Sequence, residues 1–135
     1  MARKSVKQCI DIVLACIEER KCVDYANPLS VRRFNAAYDR CANNMLYIDK
    51  HYPNEIDVVM ELLNHSDYDV VLHCAPIILR FKNCSALYKW KAIDRIKEVL
   101  RTHDISKADR LGWELSLRNW EQNLRKSEKA GDGCV

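Results

Sequence analysis

The sequence predicts an all-α fold of about six helices, and two observations carry that expectation. Apolar residues recur at three- and four-residue steps along most of the chain, the spacing of one face of an α-helix. The 135 residues also include only 3 Gly and 3 Pro. A sandwich or barrel of short strands needs turn residues about every ten positions and would use more of both. Short links and no linker-like stretch predict a single domain over residues 1–128, followed by a flexible polar tail at 129–135.

The helices follow in order. Ser5-Val6-Lys7-Gln8 has the form of a capping box, in which the serine hydroxyl and the glutamine side chain each accept the other's backbone N–H. Val6, Cys9, Ile10, Val13, Cys16 and Ile17 then mark one apolar face, and the helix is expected to reach about Lys21. Asp24 to Leu29 reads as a connection, because Pro28 disfavours helical backbone at Asn27. Ser30 is expected to cap a second helix with the stripe Phe34, Ala37, Tyr38, Cys41, Met45 and Ile48, ending at His51-Tyr52-Pro53-Asn54.

A short third helix carries Ile56, Val59, Met60 and Leu63 on one face. After the turn at Asn64-His65-Ser66-Asp67, either Asp67 or Asp69 caps a fourth helix with Val70, Cys74, Ile77, Ile78 and Phe81 inside. Pro76 interrupts it, and a proline in a helix interior removes one hydrogen bond and crowds the preceding turn. The apolar period continues across it, so a bent helix is expected in preference to a strand at Val70-Val71-Leu72. Ser85 is placed as the cap of a fifth helix with Trp90, Ile93, Ile96, Val99 and Leu100. Ser106, with Asp109 three residues on, caps a sixth whose apolar surface is Leu111, Leu115, Leu117, Trp120 and Leu124. Gly112 within it suits close approach by a neighbouring helix, and the chain is expected to fray from Ser127.

Composition excludes several chemistries. No GxGxxG or GxxxxGK[ST] phosphate cradle can be written, and HExxH and GxSxG are absent. No run of about 18 apolar residues offers a membrane span, and Lys7, Gln8 and Asp11 spoil any signal-peptide core behind the basic start. A cytoplasmic protein without membrane contact is therefore expected. The 7 cysteines are odd in number, include no CxxC, and suit a reducing compartment better than a disulfide framework. Five of them fall in helical stripes as small hydrophobes, and Cys134 in the polar tail is the exposed, oxidisable exception. Neither a metal nor a cofactor is expected. His51, His65, His73 and His103 sit near helix ends or on outward faces, so no enzyme is expected either.

Net charge is only +3, yet its distribution is bipolar. Residues 53–79 hold Glu55, Asp57, Glu61, Asp67 and Asp69 and no Lys or Arg, while residues 80–101 set seven bases against Asp94 and Glu98. The plain reading is solvated helix faces that partly neutralise each other. The sharper one is a surface that orients a charged protein partner. Lys89, Lys91, Arg95, Lys97 and Arg101 around Trp90 raise nucleic acid as an alternative partner, but the spacing puts Trp90 in the core stripe and no direct nucleic-acid contact is expected.

Residues 62–79 resemble a HEAT-type repeat: a Leu-Leu ending, an Asp in the turn, then Val70, the small pair Cys74-Ala75 and the aliphatic Ile78. Val71 stands where that pattern usually has arginine, and Pro76 is unusual there. Glu114 to Trp120 resembles the closing Leu-x-x-Trp element of a family of small bacterial HEAT-like domains, and Tyr38-Asp39-Arg40 is similar to that family too. The resemblance implies a short, right-handed HEAT-like stack of antiparallel helix pairs. It also implies an immunity protein of a bacterial toxin–immunity system, such as contact-dependent growth inhibition. Such proteins bind one cognate toxin domain, often a nuclease, and cover its active site or substrate channel. No catalytic residues are shared by the family. The slight basicity here departs from the acidity of many immunity proteins. A helical adaptor for some other protein is the alternative.

If the helices pair as one–two, three–four and five–six, their second members line one binding side. The residues left outside the core stripes are then Asp39, Arg40, Asn43 and Tyr47 on the second helix, and Asp69, His73 and Arg80 on the fourth. On the sixth they are Arg110, Trp113 and Glu114. Tyr47 and Trp113 are the natural anchors, since aromatics and arginine dominate interface energetics. Packing of Trp113 on the first or fifth helix is the competing expectation for that ring, and capping is the competing one for Asp69. The acidic 53–79 segment is expected to face a basic patch on the toxin.

Overall fold

The computed structural model describes residues 3–133, which form six α-helices and two short 3-10 segments with no strand among the described residues. The helices are α1 (Val6–Arg20), α2 (Pro28–His51), α3 (Ile56–Met60), α4 (Tyr68–Ile78), α5 (Ala86–Thr102) and α6 (Lys107–Gly133). The 3-10 segments Pro53–Glu55 and Glu61–Asn64 flank α3.

Local chemistry explains where most helices begin. Both halves of the α1 box form: Ser5 Oγ accepts the Gln8 N–H at 3.1 Å, and Gln8 Oε1 accepts the Ser5 N–H at 2.8 Å. The α2 start differs from the expected Ser30 cap. Asn27 Oδ1 accepts the N–H groups of Leu29 and Ser30 at 3.0 and 3.4 Å, and Pro28 takes the first helical position. A proline there loses nothing, because that N–H has no helical partner anyway. The Ser30 hydroxyl accepts the Asp24 N–H instead, at 2.8 Å. Asp67 caps α4 by accepting the Asp69 N–H at 3.0 Å, so Asp69 is not the cap. Ser85 occupies the cap position of α5 without a side-chain capping bond. Ser106 Oγ accepts the Asp109 N–H at 3.2 Å at the start of α6.

Helix α4 passes through Pro76 and stops at Ile78. The chain then tightens, with the Arg80 N–H donating to the Ile77 carbonyl at 2.9 Å and the Phe81 N–H to the Ile78 carbonyl at 3.0 Å. Those turns carry Phe81 into the core beyond the helix end. Helix α6 continues to Gly133, past the expected fray at Ser127 and past the tail boundary at 129. Cys134 lies outside the described residues.

The α6 register corrects the sequence reading most. Leu117 and Leu124 are buried, whereas Leu111 and Leu115 are 58% and 55% exposed. Trp113, Leu117, Trp120 and Leu124 follow four-, three- and four-residue steps and form the inward stripe. Leu111 and Leu115 belong to the adjoining outward one. Gly112 brings no helix close, since a Cβ there would meet nothing within 4 Å.

The core is continuous through α1, α2, α4 and α5, with Cys9, Cys16, Cys41 and Cys74 buried in it as small hydrophobes. Helix α1 packs along α2, α4 packs chiefly on α5, and α6 meets mainly α5. Helix α6 thus stands off from α1, α2 and α4. Two buried polar residues fasten neighbouring chain segments to α2. Asp49 accepts the backbone N–H groups of Lys82 and Asn83 at 2.8 and 3.0 Å, fastening the α4–α5 connection to α2. Asn44 accepts Lys4 Nζ at 2.8 Å and donates to the Arg40 carbonyl at 2.7 Å.

Candidate functional site

Where α6 stands away from α1, α2 and α4, an open groove of about 930 Å³ remains. Arg20 and Lys21 at the end of α1 form one wall, with Tyr25, Phe34 and Tyr38 from the following connection and α2. Asp69, His73 and Pro76 of α4 lie along its floor side, and Trp113, Ser116 and Trp120 of α6 close it opposite. The two tryptophan rings sit 6.3 Å apart at 58°, half-buried against the core.

Arg20 has the most unusual environment. Its guanidinium carbon lies 3.8 Å from the Phe34 ring centroid and 5.0 Å from that of Tyr38, a double cation–π contact. Tyr25 meets the same Phe34 ring edge-on at 5.8 Å. Arg20 Nε is buried without a hydrogen-bond partner. Burial lowers the Arg20 pKa, and the groups opposing that shift are Cys41, Tyr38 and Tyr25, none of them a carboxylate. Lys21, next in sequence, is the opposite case. It pairs with Asp67 and with Glu18 at 2.9 Å, and its pKa is raised chiefly by the Asp67 hydrogen bond. Lys21 in turn holds the Asp67 carboxyl below its ordinary range.

His73 faces the groove with its Nδ1 2.6 Å from the Asp69 carbonyl oxygen. A carbonyl only accepts, so Nδ1 carries the proton and Nε2 of the neutral ring is an acceptor. Burial lowers the His73 pKa, more than its bond to Asp69 raises it. The groove thus offers aromatic walls, a neutral imidazole and the half-buried Arg20 cation, with Lys21, Asp69 and Asp109 also on its lining. Such a lining can accommodate an apolar group that also carries an acceptor.

Of the residues expected at the partner surface, Asp69, His73 and Trp113 meet in this groove. Trp113 does face away from Leu111 and Leu115, half-buried against the core with its remaining surface on the groove. The others do not join them. Arg110 and Glu114 line a separate cleft of about 410 Å³ between α5 and α6. Arg80 is exposed past the end of α4, and Asp39 and Asn43 are exposed on α2. Arg40 is exposed and pairs with Glu19 at 2.6 Å. Tyr47 is half-buried against His51 at 4.3 Å, with Lys4 Nζ 4.9 Å from its ring. Sequence reasoning missed Arg20 and Trp120 as groove residues and assigned Phe34 and Tyr38 wholly to the core. The α1 and α2 stripes point inward as expected; what the sequence does not show is that α6 leaves their edges uncovered.

The charged segments are also partly engaged within the fold. Asp57 accepts the Tyr88 hydroxyl at 2.8 Å, and Asp67 is taken by Lys21. In the basic segment, Arg95 Nε donates to the Leu63 carbonyl at 2.5 Å and its Nη1 pairs with Glu98 at 3.1 Å, while Lys97 pairs with Glu121. Trp90 is half-buried, and its Nε1 donates to Glu128 at 2.6 Å. Among the described residues, no three His, Cys, Asp or Glu side chains converge as a metal site, and no helix is long and apolar enough to cross a membrane.

No protein-family model matches this sequence, and neither a curated protein nor a solved structure is significantly similar to it.

Proposed function

We propose that this chain is an immunity protein, a cytoplasmic inhibitor that binds one cognate toxin domain and blocks its active site or substrate channel. The observation that carries the reading is the groove itself. Its walls combine tryptophan, tyrosine, phenylalanine and arginine, the residue types that dominate protein-interface energetics. The resemblance to bacterial HEAT-like immunity domains supplies the toxin, with a nuclease as the class it names. Tyr38 and Trp120, which carry part of that resemblance, both line the groove. The right-handed stack of antiparallel helix pairs belongs to the same reading. An interface of standard size, about 1,600 Å² in total, would cover the groove and its rims.

The test is co-expression with the product of the adjacent upstream gene, scored for co-purification and for survival of the host. Immunity predicts both a stable complex and rescue from toxicity. A complex without rescue turns the protein into a helical adaptor. Failure of both outcomes removes the toxin from the account.

A further inference from the structure

The half-buried, unpaired state of Arg20 points to the chemistry of what docks in the groove. A guanidinium partly withdrawn from water gains from hydrogen-bonded anionic partners that replace the hydration it has lost. Arg20 has two aromatic faces and a buried Nε without a partner, and among the described residues no carboxylate pairs with it. The neighbouring Lys21 shows that acids are present at this corner, but Asp67 and Glu18 are directed to it and not to Arg20. Asp69 and Asp109 also line the groove, but neither pairs with Arg20, so the cation is open to a group from outside.

Resting on the reading of the groove as a protein-docking site, we propose that its occupant is an acidic, aromatic or leucine-rich segment of the partner protein. A glutamate or aspartate of that segment accepts from the Arg20 guanidinium. An adjacent apolar side chain fills the space between Trp113, Trp120 and Tyr38. The arginine fork suits a carboxylate because two parallel N–H groups match its two oxygens. The aromatic stack holds the fork in place beforehand, which reduces the ordering cost of binding. Neutral His73 adds no competing cation. This reverses the polarity that the acidic 53–79 segment suggests. The contact of greatest consequence joins a base on this chain to an acid on the partner.

The experiment is selection of short random peptides displayed on phage against the full-length protein, run in parallel on Arg20→Gln, Arg20→Lys and Trp113→Ala. Wild type is expected to enrich Asp or Glu close to Trp, Phe or Leu. Synthetic copies of the selected peptides should bind Arg20→Gln roughly 10- to 100-fold more weakly, while Arg20→Lys recovers only part of the loss. Trp113→Ala should abolish the aromatic and leucine preference. Circular dichroism melting confirms that each variant is folded. Peptides enriched in Lys or Arg, equal binding to Arg20→Gln, or no enrichment over background each overturn the assignment. The display readout needs no toxin, so it fails separately from the immunity reading. Toxin capture that survives Arg20→Gln removes only the acid-binding inference, and peptide selection without toxin capture removes only immunity.

Discussion

Asp49 and Asn83 hold each other through both main chain and side chain. The Asp49 carboxylate accepts the Asn83 N–H at 3.0 Å, and the Asn83 side-chain amide donates back to the Asp49 carbonyl at 3.0 Å. With the Lys82 N–H also bound, one buried acid satisfies the connection that carries the chain from α4 to α5. That connection sets how α5, and with it α6, is placed against α2.

Replacing Asp49 with Ala is expected to destabilise the protein by about 1–2 kcal/mol, since two backbone donors of an exposed turn lose a charged acceptor and fall back on water. Asp49→Asn should recover part of this by keeping one acceptor oxygen. Urea denaturation of both variants measures the difference.

The Lys21–Asp67 pair makes stability depend on pH at both ends. The folded Asp67 pKa lies below its unfolded value of about 3.9, so its contribution is complete above that value and is lost as pH falls through the folded one. The folded Lys21 pKa lies above its unfolded value of about 10.4, so its contribution is present below that value and disappears as pH rises through the folded one. Asp67→Asn keeps a good helix cap and removes the charge. Its melting temperature should therefore change less than that of wild type on acidification below about pH 4.

His73 should stay neutral to a lower pH than an ordinary histidine, whose value is about 6.5, because burial disfavours its charged form. The unfolded chain takes up that proton first, so stability falls as pH drops below the unfolded value toward the folded one. A nitrogen-detected NMR titration of the ring should show Nδ1 protonated and Nε2 bare at pH 7. A His73 midpoint at or above the ordinary value contradicts this.

The register of α6 can be read by substitution. Leu117→Ala is expected to cost about 2–4 kcal/mol as a core truncation. Leu111→Gln and Leu115→Gln should each stay within about 0.5 kcal/mol, given that both side chains are more than half exposed. Equal losses at all three positions would place the helix in the other register.

Local signals carried the fold a long way. Ser5, Asp67 and Ser106 are legible as caps because each bonds within three residues, and the stripes of α1, α2, α4 and α5 point inward as their spacing requires. Asn27 was obscured by Ser30, a better-known cap that lies inside the helix. On α6 two stripes compete: leucines at 111 and 115 look as apolar as Trp113 and Trp120, and only the position of α5 chooses between them. Arg20 is the clearest case of what spacing cannot carry. Its meaning arises where the end of α1 meets Phe34 and Tyr38 of α2, with α6 held away, and no local pattern marks that meeting.

The most direct measurement is the affinity of the co-purified partner, by titration calorimetry, for Trp113→Ala beside Tyr47→Ala. Docking in the groove predicts at least a roughly 30-fold loss for Trp113→Ala, as for a hot-spot aromatic. Tyr47→Ala, which alters a ring outside the groove, should bind within about threefold of wild type. Unchanged binding of folded Trp113→Ala, or a greater loss at Tyr47, would show that the partner sits elsewhere.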